Sequence, residues 1–132
     1  MPVFADTFYY LALINPHDRA HDLAVAFTQD FDGALITSGY VLMELGDALA
    51  GRPDRSSFAA VLEKLRSDSR IQVVSPSDAL FDAAADLYAH RPDKEWSLTD
   101  CTSFVIMGER GLSDALTGDH HFEQAGFRAL LR

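Results

Sequence analysis

Short apolar runs alternate along this chain with longer stretches in which apolar positions recur every three or four residues. That change of period predicts strands alternating with helices. Residues 2–5 read as a buried strand stopped at Asp6-Thr7, and a short helix follows over residues 11–14. Asn15 as N-cap and Pro16 at the first helical position open a second helix, with Ala20, Leu23, Ala24 and Phe27 on its inner face. Asp32-Gly33 is a turn into a second strand over residues 34–37. Ser38 or Thr37 then caps a helix that runs to about Ala50. Gly51-Arg52-Pro53 breaks it, and residues 54–67 form another helix. Residues 71–74 read as a third strand. The next helix sets Leu80, Ala84 and Leu87 inward and Asp78, Asp82 and Asp86 outward. A polar loop at residues 91–96 precedes a helix over about residues 99–110, capped by Thr99 and apolar nearly all round, which Gly111 ends. Residues 115–117 make a fourth strand, 120–124 a helical turn and 127–131 a last strand.

Strands alternating with helices predict an α/β fold in three layers. A mostly parallel sheet of four to five strands is flanked by helices, within one domain over residues 1–132. The length suits a single core. Four carboxylates then stand out. Asp6 directly follows strand one, and Asp119 follows strand four across Gly118. Glu44 shares a helical stripe with Val41, Leu45 and Ala48, and Asp100 lies in the first turn of the apolar helix. Ligands of parallel α/β sheets gather at the carboxyl ends of the strands. Inward-facing carboxylates cost several kcal/mol (roughly) unless paired or bound to a metal. Oxygen donors without a cysteine or histidine set suit Mg²⁺ or Mn²⁺ rather than Zn²⁺.

Charge complicates a nucleic-acid reading. The net charge is -9, whereas a phosphate-binding surface is normally basic. Nine arginines against two lysines leave room for a local basic patch. The lone Cys101 excludes an internal disulfide and reads as core. No basic leader is visible and no apolar run approaches the roughly 20 residues of a membrane span, so the expected location is cytoplasmic.

Other constellations are weaker. Asp114 is separated from Asp119 by about 16 Å of strand and belongs at the far end of the sheet, as a solvated turn residue. His17-Asp18-Arg19-Ala20-His21 imitates a zinc-protease helix, but with Asp for Glu and no third ligand, and reads as a solvated helix start. His120-His121 reads as an exposed pair beside Asp119, and Trp96 as packing over the sheet edge. A phosphoacceptor receiver domain would want an acid after strand three, where Ser75-Pro76 stands. A haloacid-dehalogenase-type phosphatase would want an acid at Phe8.

The blocks Val3-Phe4-Ala5-Asp6-Thr7, Met43-Glu44-Leu45, Trp96-Ser97-Leu98-Thr99-Asp100 and Leu116-Thr117-Gly118-Asp119-His120-His121-Phe122 occur in the order seen in a known family. The chain resembles PIN-domain ribonucleases, specifically the small VapC-like toxins of bacterial toxin–antitoxin pairs. The resemblance implies a metal-dependent endoribonuclease. Asp6, Glu44, Asp100 and Asp119 would be the acidic quartet holding one or two Mg²⁺ or Mn²⁺, which activate water for in-line attack on an RNA phosphodiester. Thr7, Thr99 and Thr117 would orient those carboxylates. It further implies an RNA substrate, a small antitoxin partner and a homodimer. The rival reading is a non-catalytic PIN-fold module that docks a partner protein.

Overall fold

The computed structural model describes residues 1–132. Its strands are β1 (Val3–Ala5), β2 (Leu35–Ser38), β3 (Ile71–Val74), β4 (Asp114–Leu116) and β5 (Arg128–Ala129). They form one five-stranded sheet in the order β3-β2-β1-β4-β5, and every pairing is parallel. The helices are α1 (Thr7–Ile14), α2 (His21–Asp30), α3 (Gly39–Leu49), α4 (Ser57–Ser67), α5 (Asp78–His90), α6 (Leu98–Glu109) and α7 (His120–Gln124). The predicted three-layer α/β fold is therefore present, with all five strands parallel. No helix is long and apolar enough to cross a membrane.

The central strand β1 is buried along its whole length, as a strand hydrogen-bonded on both sides and covered by helices must be. Serine caps two helix starts, at Ser38 as predicted and at Ser77, for which no cap is predicted from the sequence. Ser38 Oγ accepts from the Val41 N–H at 3.1 Å, and Ser77 Oγ accepts from the Leu80 N–H at 3.1 Å. The acidic stripe of α5 faces solvent while Leu80 and Ala84 are buried. Helix α6 buries Cys101, Phe104, Ile106 and Met107, and packs against both α5 and α3.

Several boundaries differ from the sequence-based expectation. Helix α1 begins at Thr7 rather than residue 11, because Asp6 already occupies its N-cap. Asn15 and Pro16 do not open α2. Asn15 ends α1, its Oδ1 accepts from the His17 N–H at 3.0 Å, and Asp18 Oδ1 takes the Ala20 N–H at 2.9 Å, so the helix starts only at His21. These side-chain turns satisfy the backbone locally and compete with a helical start. Leu23 consequently faces outward and is 50% exposed, while Ala20 and Ala24 are buried. Helix α4 starts at Ser57, after a turn in which Arg52 pairs with Asp54. Thr99 is not the cap of α6. Ser97 is, in a reciprocal capping box with Asp100. Asp114 is the first residue of β4 rather than a turn residue, and is paired with Arg128. Trp96 sits over α6 and α7 rather than over the sheet edge: its ring meets Phe104 edge-on at 5.0 Å and its Nε1–H donates to Gln124 Oε1 at 3.0 Å.

Short α7 depends on one anchor. Phe122 is fully buried and meets Phe104 edge-to-face at 5.0 Å. Phe122→Ala should destabilise the protein by about 3–5 kcal/mol and release the segment carrying Asp119 and His121. Chemical denaturation, with hydrogen exchange over residues 117–126, checks this. Unchanged stability and protection would refute the anchoring role.

Candidate active site

The parallel sheet ends its strands in one direction, so the segments leaving β1, β2 and β4 emerge side by side. Asp6 leaves β1, α3 with Glu44 leaves β2, and Thr117 to Asp119 leave β4. The first turn of α6 supplies Asp100. An open cleft of about 390 Å³ is bordered by Asp6, Glu44, Asp100, Asp119, Glu95 and His121, among others. All four acids singled out in the sequence thus reach one place.

Each acid accepts a hydrogen bond from a neighbouring residue. Thr117 Oγ1 donates to Asp6 Oδ2 at 2.9 Å, and the Thr7 hydroxyl donates to Glu44 Oε1 in a short bond. Asp100 Oδ2 accepts from the Ser97 N–H at 3.1 Å, and Asp119 Oδ1 from the His121 N–H at 2.9 Å. Thr117 also accepts the Asp119 N–H at 3.1 Å, which ties the ends of β1 and β4 together. Two of the predicted supporting threonines, Thr7 and Thr117, therefore touch carboxylates directly. Thr99 contributes a hydroxyl that lowers the Glu44 pKa.

Burial dominates the electrostatics. Asp6 is 5% exposed, and its pKa rises to about 7, chiefly through desolvation. The Thr117 hydrogen bond opposes that rise, and the charges of Asp100 and Glu44 add to it. Desolvation likewise raises Glu44, with Thr7 opposing and Asp100 reinforcing. Asp100 is raised by desolvation and then by Asp119, against the pull of the Ser97 backbone and His121. Three carboxylates of one cleft are held toward neutrality by low dielectric and by one another.

His121 departs from the reading of an exposed histidine pair. Its Nδ1 lies 3.2 Å from Asp100 Oδ2 and 3.4 Å from Asp119 Oδ1, and its side chain is only 18% exposed. His120 remains outside, with its Nδ1 3.6 Å from Asp119. The register of α7 decides this difference, since Asp119 as N-cap folds the second histidine back over the cleft. Glu95 at the rim also escaped notice, because the polar loop before Trp96 carries no periodic signal.

Two donor sets overlap at Asp119. One is the carboxylate quartet. The other is Asp119, His120 and His121, whose ligand atoms lie within 4.8 Å of one another. The quartet is the more buried set, since Asp6, Glu44 and Asp100 are all raised by desolvation and by neighbouring acids while His120 faces solvent. The other sequence candidates stay out of the cleft. Asp114 lies at the far end of β4, Cys101 is buried inside α6, and His21 Nδ1 contacts the Ala12 carbonyl oxygen at 2.7 Å.

A family model described as PIN domain matches residues 3–128. Over 126 residues the chain is 30% identical to the 23S rRNA-specific endonuclease VapC20 of Mycobacterium tuberculosis, covering 95% of each protein. It superimposes on the crystal structure of that VapC20, described as a sarcin–ricin loop cleaving toxin, with a TM-score of 0.87, 27% identity and 96% of each chain covered. FitAcB from Neisseria gonorrhoeae shares the fold at a TM-score of 0.66 and 18% identity, over 98% of this chain and 95% of that one. DNA-bound VapBC from Salmonella typhimurium does so at 0.66 and 20%, over 98% and 97%.

The raised Asp6 pKa has a signed consequence. The folded state keeps a proton on Asp6 up to about pH 7, while the unfolded chain loses it near 3.8. Stability from this group is therefore lost as pH rises from about 4 to 7, by a total on the order of 4 kcal/mol. In EDTA, Asp6→Asn should match the wild-type Tm near pH 4 and exceed it increasingly up to pH 7. Parallel Tm profiles for the two proteins would contradict the assignment.

Proposed function

This chain belongs to the PIN-domain family, and from that premise we propose that residues 1–132 act as one metal-dependent endoribonuclease, the toxin of a toxin–antitoxin pair. The observation that carries the reading is the convergence of Asp6, Glu44, Asp100 and Asp119 on one cleft, three of them pushed toward neutrality. Such a set fits a divalent cation, which would restore the ionised carboxylates. An all-oxygen set favours Mg²⁺ or Mn²⁺, one or two ions. Bound there, the cation would supply Lewis-acid charge at the phosphodiester and lower the pKa of the attacking water.

The chain's own residues do the positioning. Thr117, Thr7 and the Ser97 backbone each hold one oxygen of Asp6, Glu44 and Asp100 and so limit how these carboxylates turn at the cleft. Thr99 adds support at Glu44. His121 lies against Asp100 and Asp119 and orients both carboxylates. Attack by water rather than by the ribose 2′-hydroxyl leaves a 5′-phosphate and a 3′-hydroxyl. The 23S rRNA specificity of the Mycobacterium tuberculosis relative makes 23S rRNA the first RNA to test.

The reading includes a small antitoxin, a homodimer and a cytoplasmic location. For the antitoxin, an apolar groove of about 430 Å³ between α1, α2 and α4 offers a seat, with Tyr9, Leu13, Phe27, Phe31 and Val61 on its walls. A non-catalytic binding module is the competing reading. It predicts no cation-dependent cleavage of any RNA, and partner binding indifferent to the quartet.

Purified protein should cut rRNA with Mg²⁺ or Mn²⁺ and stop in EDTA. Asp6→Asn or Asp100→Asn should lower cleavage by more than about 100-fold, since even outer partners of metal sites are worth 10–100-fold. Above pH 7, Mg²⁺ should raise the wild-type Tm and leave that of Asp6→Asn nearly unchanged. Cleavage that survives EDTA, or survives both substitutions, would eliminate the metal mechanism.

A further inference from the structure

A second open groove, of about 830 Å³, adjoins the acidic cleft and shares Phe8 with it. It runs between the α1–α2 turn and the C-terminal residues, and four of its lining side chains are cationic or imidazole: His17, Arg19, His120 and Arg132. That concentration is unusual in a chain of net charge -9. Five arginines are committed to neighbouring carboxylates: Arg52, Arg70, Arg91, Arg128 and Arg132. Arg19 is exposed and is not among them. The one acid lining the groove, Asp18, spends an oxygen on the Ala20 N–H of its own turn.

The groove is continuous with the site. His120 follows Asp119 directly, and Phe8 follows Thr7, whose hydroxyl holds Glu44. The Phe8 ring lies so close over Gly118 that a Cβ there would come within 2.4 Å of Phe8 Cζ. Phe8 thereby forms an apolar step between cleft and groove, and Leu23, 50% exposed, continues the apolar surface. Cations beside exposed apolar side chains are the usual make-up of a surface for single-stranded nucleic acid, with phosphates on the cations and bases or sugars on the apolar faces.

We propose that this groove receives the RNA strand flanking the scissile phosphate, and that Arg19 holds a phosphate of that flank. The inference rests on the endoribonuclease reading and names where that enzyme gains RNA affinity despite its acidity. A carboxylate cleft repels the substrate backbone, so attraction must come from beside it. Arg19 can supply it without first breaking an ion pair. Arg19 is a positioning residue, and its loss acts on binding rather than on the chemical step.

The test uses fluorescence anisotropy of a fluorescein-labelled single-stranded RNA in EDTA, titrated at several KCl concentrations between about 50 and 200 mM. Arg19→Glu should weaken binding about tenfold or more, as expected for a lost charge-assisted contact. Arg19→Ala should make the slope of log K against log[KCl] shallower by about 0.7, the signature of one phosphate contact on a single strand. Arg66→Glu, the same charge change on the exposed face of α4, should bind and cleave as the wild type does. With Mg²⁺, Arg19→Ala should raise KM and leave kcat within about twofold, and Arg19→Lys should restore most of the affinity. If the wild type cleaves RNA but Arg19→Glu and Arg66→Glu bind alike, the groove assignment is wrong and the nuclease reading stands. If the wild type neither binds nor cleaves RNA, both are wrong.

Discussion

Asp6 sits at the carboxyl end of the central strand, buried on every side except toward the cleft, and its charge is opposed by low dielectric and by two neighbouring acids. A fold tolerates such a group where hydrogen bonds, a retained proton or a bound cation offset the desolvation. Much of the surrounding structure serves that requirement. Thr117 supplies a hydroxyl to Asp6 and takes the Asp119 N–H, so β4 and α7 are fixed relative to β1 by the same atom that steadies the acid. Ser97 does the equivalent for Asp100, and its capping box starts the buried helix α6 at the one residue that points the carboxylate into the cleft.

Packing and charge therefore pull in opposite directions at this edge of the sheet. The apolar core, from Phe4 in β1 to Leu45 in α3 and Phe122 in α7, holds the strand ends together. The acids brought together by that packing repel each other. A cation bound there, as proposed, would resolve the conflict and couple binding of the ion to the stability of the fold. The overall negative charge poses a related problem at larger scale. An acidic surface repels RNA, and local placement of a cation without an ion-pair partner, such as Arg19 in the adjoining groove, counts for more than the net value, because screening limits the reach of distant charges to about 8–10 Å.

Much of this was legible in the chain. Alternating strand and helix patterns identified the parallel α/β fold, since a strand's buried faces and a helix's apolar stripe are written locally in residue spacing. The quartet was legible for a similar reason: Asp6 and Asp119 stand at strand ends, and Glu44 and Asp100 interrupt apolar faces. What misled were local competitions of nearly equal energy. Asn15-Pro16 reads as a helix start, but Asn15 and Asp18 bond to their own turn, and α2 is delayed to His21. Thr99 and Ser97 are both credible caps, and only the reciprocal bond from Asp100 selects Ser97.

By itself, then, the sequence determined which residues are apolar enough to be buried and which acids lie at the ends of buried elements. Both are properties of short spans, and short spans set backbone preference and burial. The tertiary structure alone decided that His121 turns inward while His120 does not, that Glu95 borders the cleft, and that Arg19 opens onto a groove shared with Arg132 at the other end of the chain. Those outcomes depend on how β1 and β4, more than a hundred residues apart in the chain, pair side by side. No local pattern encodes that adjacency, because it is set by the packing of the whole sheet.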